Sequence, residues 1–205
     1  MSAEPRTARG RATRERILDV TTSLIGERGI AGTSLEDVRH AAGVSKSQLY
    51  LYFRDRDDLL RAVAHTTCDR VMDAQADVLA EFDSVAGVAR YLAGTVALQE
   101  QRKARGGCPI GTLAGQLAET DEPARLELVA GMDRWQAGLR AGLEAMRSRG
   151  ELRADADPGV LAGQVLALIQ GGLLLTQIRR DTAAIRDAAD GALQLIRASL
   201  DDKSL

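Results

Sequence analysis

Residues Thr33–Leu59 read TSLEDVRHAAGVSKSQLYLYFRDRDDL, and the fold of the chain turns on how this run is parsed. Thr33 with Glu36 three residues on is a capping-box pattern, which predicts a helix starting at about Ser34. Leu35 and Val38 then share a face, with Ala41 and Ala42 small enough for close packing. Gly43 can take the left-handed conformation that ends a helix, and Ser45 can cap the next. That next helix, Lys46 to Phe53, can turn Leu49 and Phe53 to a core. Lys46, Ser47, Gln48, Tyr50 and Tyr52 are left on other faces or at the helix start, and their cation, hydroxyl, amide and phenol groups are those used on phosphates and base edges. Asp55, Asp57 and Asp58 suit the start of a third helix, where carboxylates are stabilised. Two short helices joined at a glycine can push one helix into the major groove of DNA; the same layout also serves an ordinary αα-hairpin with a solvated polar face.

Outward from this run, helical periodicity recurs nearly everywhere and no convincing alternating strand interrupts it. Ile17, Val20 and Leu24 stripe a first helix ending near Gly29. A fourth is expected from about Arg56 to Phe82, followed by helices near 84–103, 109–119, 122–149, 157–180 and 184–200. Gly106–Gly107, Asp121 before Glu122–Pro123, Gly150 and Asp157–Pro158 punctuate them. The fold class is therefore all-α. The expected domains are an N-terminal arm with a three-helix head over residues 1–55 and a larger helical domain over 56–205.

The net charge of −2 carries no global signal for nucleic acid, but its distribution does. Residues 1–56 hold 10 Lys/Arg against 7 Asp/Glu, and the remainder holds 17 against 22. Arg6, Arg9, Arg11, Arg14 and Arg16 crowd the N-terminus, where a flexible basic arm can reach phosphate or a minor groove, or simply aid solubility. Two cysteines, Cys68 and Cys108, argue against a disulfide-built secreted fold. The basic N-terminus has no apolar segment behind it, and the most apolar stretch, Val160–Leu175, is short and broken by Gln164, Gln170 and several glycines. A cytoplasmic protein without a membrane partner is expected.

Residues 12–60 resemble the N-terminal domain of the TetR family of bacterial transcriptional regulators. The resemblance rests on RILDVTTSLIGERGIAGTSLEDV, AAGVSKSQLYLYF and FRDRDDL. It implies a helix-turn-helix head on a ligand-binding and dimerisation domain, and a double-stranded DNA operator as partner. Thr33, Lys46, Tyr50 and Arg56 occupy positions that commonly touch phosphates in such proteins. Ser45, Ser47 and Gln48 lie where base contacts arise, and the Gln48 amide can pair bidentately with adenine. Tyr52 stands where the family often has His, Leu51 at a variable position, and Arg56 in place of the usual Lys. The resemblance also implies derepression by an inducer rather than activation.

In the C-terminal half, Leu161, Val165, Leu168, Gly172 and Leu175 form one stripe, and Ile185, Ala189, Ala192, Ile196 and Leu200 another. Either they build a central core or, as the family resemblance favours, Leu161, Val165, Leu168, Gly172, Leu175, Ile185, Ala189 and Ile196 meet a second copy in a homodimer. Two recognition helices related by a twofold axis would then read a palindrome.

The segment GGCPIGTLAGQLAETDEP, residues 106–123, puts Pro109 at a first helical position and Cys108 at its N-cap. A helix N-terminus favours thiolate, and Arg102, Lys103 and Arg105 lie just upstream, so either a reactive thiol or a plain cap fits. The segment resembles one TetR branch in which the cysteine of some members responds to electrophiles or oxidants. A noncovalent small-molecule inducer is the alternative, with Tyr91, Met132, Trp135 and Met146 lining its pocket or serving as ordinary core. Cysteine catalysis needs a base, yet the two histidines, His40 and His65, lie in helices of the head. No phosphate loop, dinucleotide fingerprint, serine elbow or metal-ligand cluster is seen, so no catalytic residue, cofactor or metal is expected.

Overall fold

A computed structural model describes residues 5–201. Among them run α1 (Ala8–Arg28), α2 (Leu35–Ala42), α3 (Lys46–Tyr52), α4 (Arg56–Ala80) and α5 (Val85–Gln101). They are followed by α6 (Pro109–Leu117), α7 (Glu122–Ser148), α8 (Pro158–Arg179) and α9 (Ala183–Ala198). An isolated antiparallel bridge between Leu152 and Leu200 is the one β-type pairing among the described residues. Two compact units share the chain. The first holds the residues up to Asp69 together with Leu113–Val129, and the second holds Arg70–Thr112 and the chain from Ala130 onward. The expected boundary at residue 55 falls just before α4, whose N-terminal part, to Asp69, lies in the first unit.

Local chemistry sets the helix ends of the first unit. The Thr7 hydroxyl accepts the Gly10 N–H at 3.1 Å to cap α1, which ends at Gly29. The capping box of α2 sits one residue later than Thr33/Glu36. Ser34 Oγ accepts the Asp37 N–H at 3.1 Å, and Asp37 Oδ2 accepts the Ser34 N–H at 2.9 Å. Thr33 instead turns inward, donating its hydroxyl to the Gly29 carbonyl at 2.9 Å, and Glu36 pairs with Arg39 Nε at 2.9 Å. Gly43 closes α2 at φ 63°, a left-handed conformation that a β-carbon would oppose. Ser45 and Gln48 then form the capping box of α3. At the start of α4, Asp55 accepts the Asp58 N–H at 2.7 Å, while buried Asp58 accepts the Arg54 N–H at 3.1 Å and its guanidinium at 3.0 Å. The Arg54 hydrogen bond holds the Asp58 carboxyl below the usual carboxylate range.

The N-terminal arginines differ from expectation. Because α1 begins at Ala8, Arg9, Arg11, Arg14 and Arg16 are helical rather than part of a flexible arm. Arg16 Nε donates to the Ala42 carbonyl at 3.0 Å, and Arg14 lies 5.5 Å from the centre of the Phe53 ring. Both therefore brace the head. Ile17, Leu18, Leu49, Phe53 and Leu59 are the large side chains at its centre.

In the second unit, α9 packs on α8 and α5. Gly172 makes the α8–α9 approach possible, since a β-carbon there would stand 2.7 Å from that of Ala188 and 3.0 Å from Ile185 Cδ1. Leu139, Leu143, Met146, Ile169, Ile185 and Ile196 are fully buried, and Phe82 meets Tyr91 edge-on at 5.3 Å. At 22 residues, α8 is longer than the apolar stretch read from sequence and is long and apolar enough to cross a membrane by length and composition. Its Leu161, Ala162, Val165, Leu166, Ile169 and Leu173 are instead buried within the protein.

Candidate nucleic-acid interface and regulatory cavity

Helix α3 is anchored from below by Leu49 and the following Phe53, both buried, which leaves its other faces outward. Ser45, Lys46, Ser47, Gln48, Tyr50 and Leu51 are all exposed. Leu51 is the most open large apolar side chain of the described chain, at 71%. Lys46 Nζ lies 6.0 Å from the Tyr50 ring centre, and the Ser45 and Ser47 hydroxyls are 3.0 Å apart. Gln48 Oε1 accepts the Ser45 N–H at 2.9 Å, so bidentate pairing with adenine competes with the helix cap. Tyr52 is half-buried, its hydroxyl directed toward Gly10 at the start of α1.

Two residues assigned to phosphate contact are occupied elsewhere. Thr33 is buried, and its hydroxyl is committed to Gly29. The Arg56 guanidinium donates to the carbonyls of Ile30 and, at 3.4 Å, Thr33. Together they tie the α1–α2 turn to the start of α4, a structural use that a solvated phosphate contact would have to displace. Sequence reasoning also missed Gln116 of α6, whose Oε1 accepts the Ile30 N–H at 2.7 Å. Its separation of 86 residues from Ile30 leaves no sequence signal for the contact.

Within the second unit, a cavity of about 480 Å³ is lined by α4, α5, the segment before α6 with Pro109 at that helix's start, and single residues of α7 and α8. Tyr91, Cys108 and Trp135 all border it. Met132 does not; it lines a second cavity of about 380 Å³ with Gln170, and Cys108 borders both. Trp135 Nε1 donates to the Tyr91 hydroxyl at 2.7 Å, which donates in turn to Gln75 Oε1 at 3.0 Å. Burial pushes the Tyr91 phenol well above its ordinary pKa, so it stays protonated. Cys108 departs from the activated thiol its helix position suggests: it is 7% exposed, and burial raises its pKa. Opposing contributions from the Gly111 N–H and, more weakly, Arg102 do not reverse that. Gln75 and Gln99 are lining residues absent from the sequence reading, because polar residues on an amphipathic helix look like solvated ones until the tertiary packing is known; Arg102, read there only as a cation upstream of Cys108, lines the cavity as well.

The expected dimer stripe also divides. Leu161, Val165, Gly172, Ile185, Ala189 and Ile196 are buried inside one protomer, since α8 and α9 use those faces against each other and the core. Leu168 and Leu175 remain exposed, flanked by Val160, Leu174 and Ile178. Among the described residues no group of three or more His, Cys, Asp or Glu could hold a metal ion. His40 and His65 belong to the first unit and Cys108 to the second.

Comparison with known proteins agrees with this geometry. Residues 17–63 match the family described as bacterial regulatory proteins, tetR family, and residues 84–192 match the tetracyclin repressor-like C-terminal domain. The chain is 28% identical over 182 residues to an uncharacterized HTH-type transcriptional regulator in the lacX 3' region of Lactococcus lactis subsp. lactis, covering 88% of this chain and 91% of that protein. It is 24% identical over 180 residues to the HTH-type transcriptional repressor DhaR of Mycobacterium sp. (strain GP1), covering 82% and 84%. A TetR transcriptional regulator from Chloroflexus aurantiacus has a similar solved structure, with a TM-score of 0.82 and 25% identity over 95% of this chain and 98% of that one. The two matches take in the helix-turn-helix with its outward α3 and most of the helical region that follows in sequence, and the chain belongs to the TetR family of DNA-binding transcriptional regulators.

Proposed function

We propose that this regulator is a homodimeric, cytoplasmic repressor that releases a palindromic operator when a small molecule occupies the Tyr91–Trp135–Cys108 cavity. The observation that carries the DNA half of the reading is α3, where buried Leu49 and Phe53 hold an exposed row of Lys46, Ser47, Tyr50 and Leu51. Lys46 and Tyr50 suit phosphates; Ser47 suits a base edge, and Leu51 suits a thymine methyl. Ser45 and Gln48 serve first as the cap that orients them.

Two copies are needed because one short helix reaches few bases, and linking two heads raises their effective concentration on DNA. The exposed Leu168, Leu174, Leu175 and Ile178 of α8 support pairing through that helix. An inducer acts by its differential affinity for the DNA-competent and DNA-incompetent states. Covalent modification of Cys108 is a second trigger, supported by its place between two cavities, though burial makes it slow. Repression is carried over from relatives such as DhaR, whose name describes a repressor.

Selection of genomic DNA by the purified protein tests the reading. Recovered sites should share an inverted repeat whose half-sites are one helical turn, or a multiple of it, apart. Lys46→Ala should weaken binding about equally across sequences and reduce its salt dependence. Recovery of no salt-dependent site in any fragment would overturn the proposal.

A further inference from the structure

The wall of the 480 Å³ cavity carries positive charge and no negative charge. Arg90 and Arg102 line it, and no aspartate or glutamate does. The two arginines are not equivalent. Arg90 is paired with Glu81, so its charge is already met. Arg102 is exposed, and no carboxylate of the described residues pairs with it. Its surroundings offer none: Gln101 through Ala118 contain no Asp or Glu, while Arg102, Lys103 and Arg105 all fall in that run. Glu100, the acid just before it, is paired with Arg186 of α9.

Local structure fixes Arg102 at this wall. Its N–H donates to the Leu98 carbonyl at 3.1 Å where α5 ends. The chain then turns through Lys103 and Ala104 at φ 53° and 56°, left-handed conformations uncommon in residues with a β-carbon. Their N–H groups donate to the Glu100 and Gln99 carbonyls, each at 2.9 Å, and Ala104 is buried. The turn is thus tied back onto α5. The carbonyl end of that helix offers Arg102 roughly half a negative charge, which three neighbouring cations outweigh. The influence of Arg102 also reaches inward, since it acts to lower the pKa of Cys108, a buried residue of the same wall. Much of the remaining wall is apolar, with Val71, Val78, Leu98, Trp135 and Leu173 among its members.

We infer that the cavity takes an apolar molecule ending in one anionic group, and that Arg102 is the partner of that group. This rests on the proposal that the cavity is the inducer site, and names the chemistry of its ligand. Binding is measured apart from DNA, so the two readings can fail separately.

Trp135 is the single tryptophan of the chain and borders the cavity, so its emission reports occupancy, with calorimetry as a second readout. Two matched sets serve as probes: octanoate, octanol and octylammonium; and p-tert-butylbenzoate with the corresponding benzyl alcohol and benzylammonium. An ion pair at an exposed arginine is screened, so its effect is modest. In low salt near neutral pH, each carboxylate should bind wild type about three- to tenfold tighter than its alcohol, and each ammonium ion more weakly than the alcohol. Raising the salt to about 0.5 M should shrink the preference for the carboxylate.

Arg102→Gln should reduce that preference to less than about twofold while the alcohols bind as they do to wild type. Arg102→Lys should retain it, because the charge is kept. Lys103→Gln removes a cation that does not line the cavity and should leave most of the preference in place. All three side chains are replaced at exposed positions, so the variants should melt close to wild type. Equal loss in Lys103→Gln and Arg102→Gln would make the effect a field of the whole loop and overturn the role of Arg102. Equal binding of carboxylate and alcohol to wild type, a preference that survives in Arg102→Gln, or no binding by any probe would overturn the inference outright. Anion-selective binding without operator release would instead overturn the inducer assignment and leave the ligand chemistry standing.

Discussion

The Cys108 sulfur stands at the N-terminal end of α6, accepts the Gly111 N–H at 3.4 Å and is closed from solvent. A helix N-terminus stabilises a thiolate by a modest amount within its first turn, whereas loss of hydration acts on the whole charge. Burial therefore wins, and the folded thiol holds its proton to higher pH than an unfolded one. The sign of the linkage follows: this contribution to stability is complete below the ordinary thiol pKa and is lost as pH rises through the raised value. In a Cys68→Ala background, alkylation of Cys108 by N-ethylmaleimide should be at least about tenfold slower at pH 7 than that of a free thiol, and should still climb above pH 9. Mass spectrometry across pH checks this; a rate that levels off below pH 8 would show a thiolate-stabilised sensor instead. Gln48 teaches the same lesson more gently, since a residue type suited to adenine is already engaged by its own helix cap.

At the scale of elements, the α8–α9 pair is the most demanding junction. The missing side chain of Gly172 admits Ala188 and Ile185, and no ordinary β-carbon fits without backbone movement. Gly172→Leu should destabilise the protein by about 1–3 kcal/mol, read as a lower urea midpoint. Gly191→Ala on α9 is the control, as its β-carbon would meet open space; equal losses in both variants would remove the close-approach explanation. Helix α4 runs from one compact unit into the other, divided between Asp69 and Arg70. Helix α6 does likewise between Thr112 and Leu113, with Cys108 before its start bordering both cavities and Gln116 near its end bonded to the α1–α2 turn. Both helices are thus covalently continuous elements shared by the two units.

For the whole molecule, assembly is the deciding question. The exposed large apolar side chains of α8 are Val160, Leu168, Leu174, Leu175 and Ile178, the last 66% exposed, and the proposed pairing would use them. A double Leu175→Arg, Ile178→Asp variant should keep the helical spectrum and melting temperature of the monomer fold while sedimenting as a monomer. Its operator affinity should fall by about 100-fold, as expected when two linked heads become one. Retention of a dimer by analytical ultracentrifugation would show that another face joins the copies. A variant such as Ile185→Arg could not make this distinction, because it would place a charge in the protomer's own core.

Helix positions, the Gly43 turn, the Ser45 cap and the outward polar face of α3 were legible in the residues alone. Caps, turns and apolar periodicity act within a few positions of the chain, and the helices of the described residues fall close to where those signals place them. What the sequence could not disclose is which of two equally apolar faces on α8 packs inward, or that Thr33 and Arg56 hold the α1–α2 turn. It also left hidden the bond from Gln116 to Ile30 and the closure of Cys108 from water. Each depends on side chains distant in sequence meeting in space, so burial and hydrogen-bond partners were decided only by the tertiary packing.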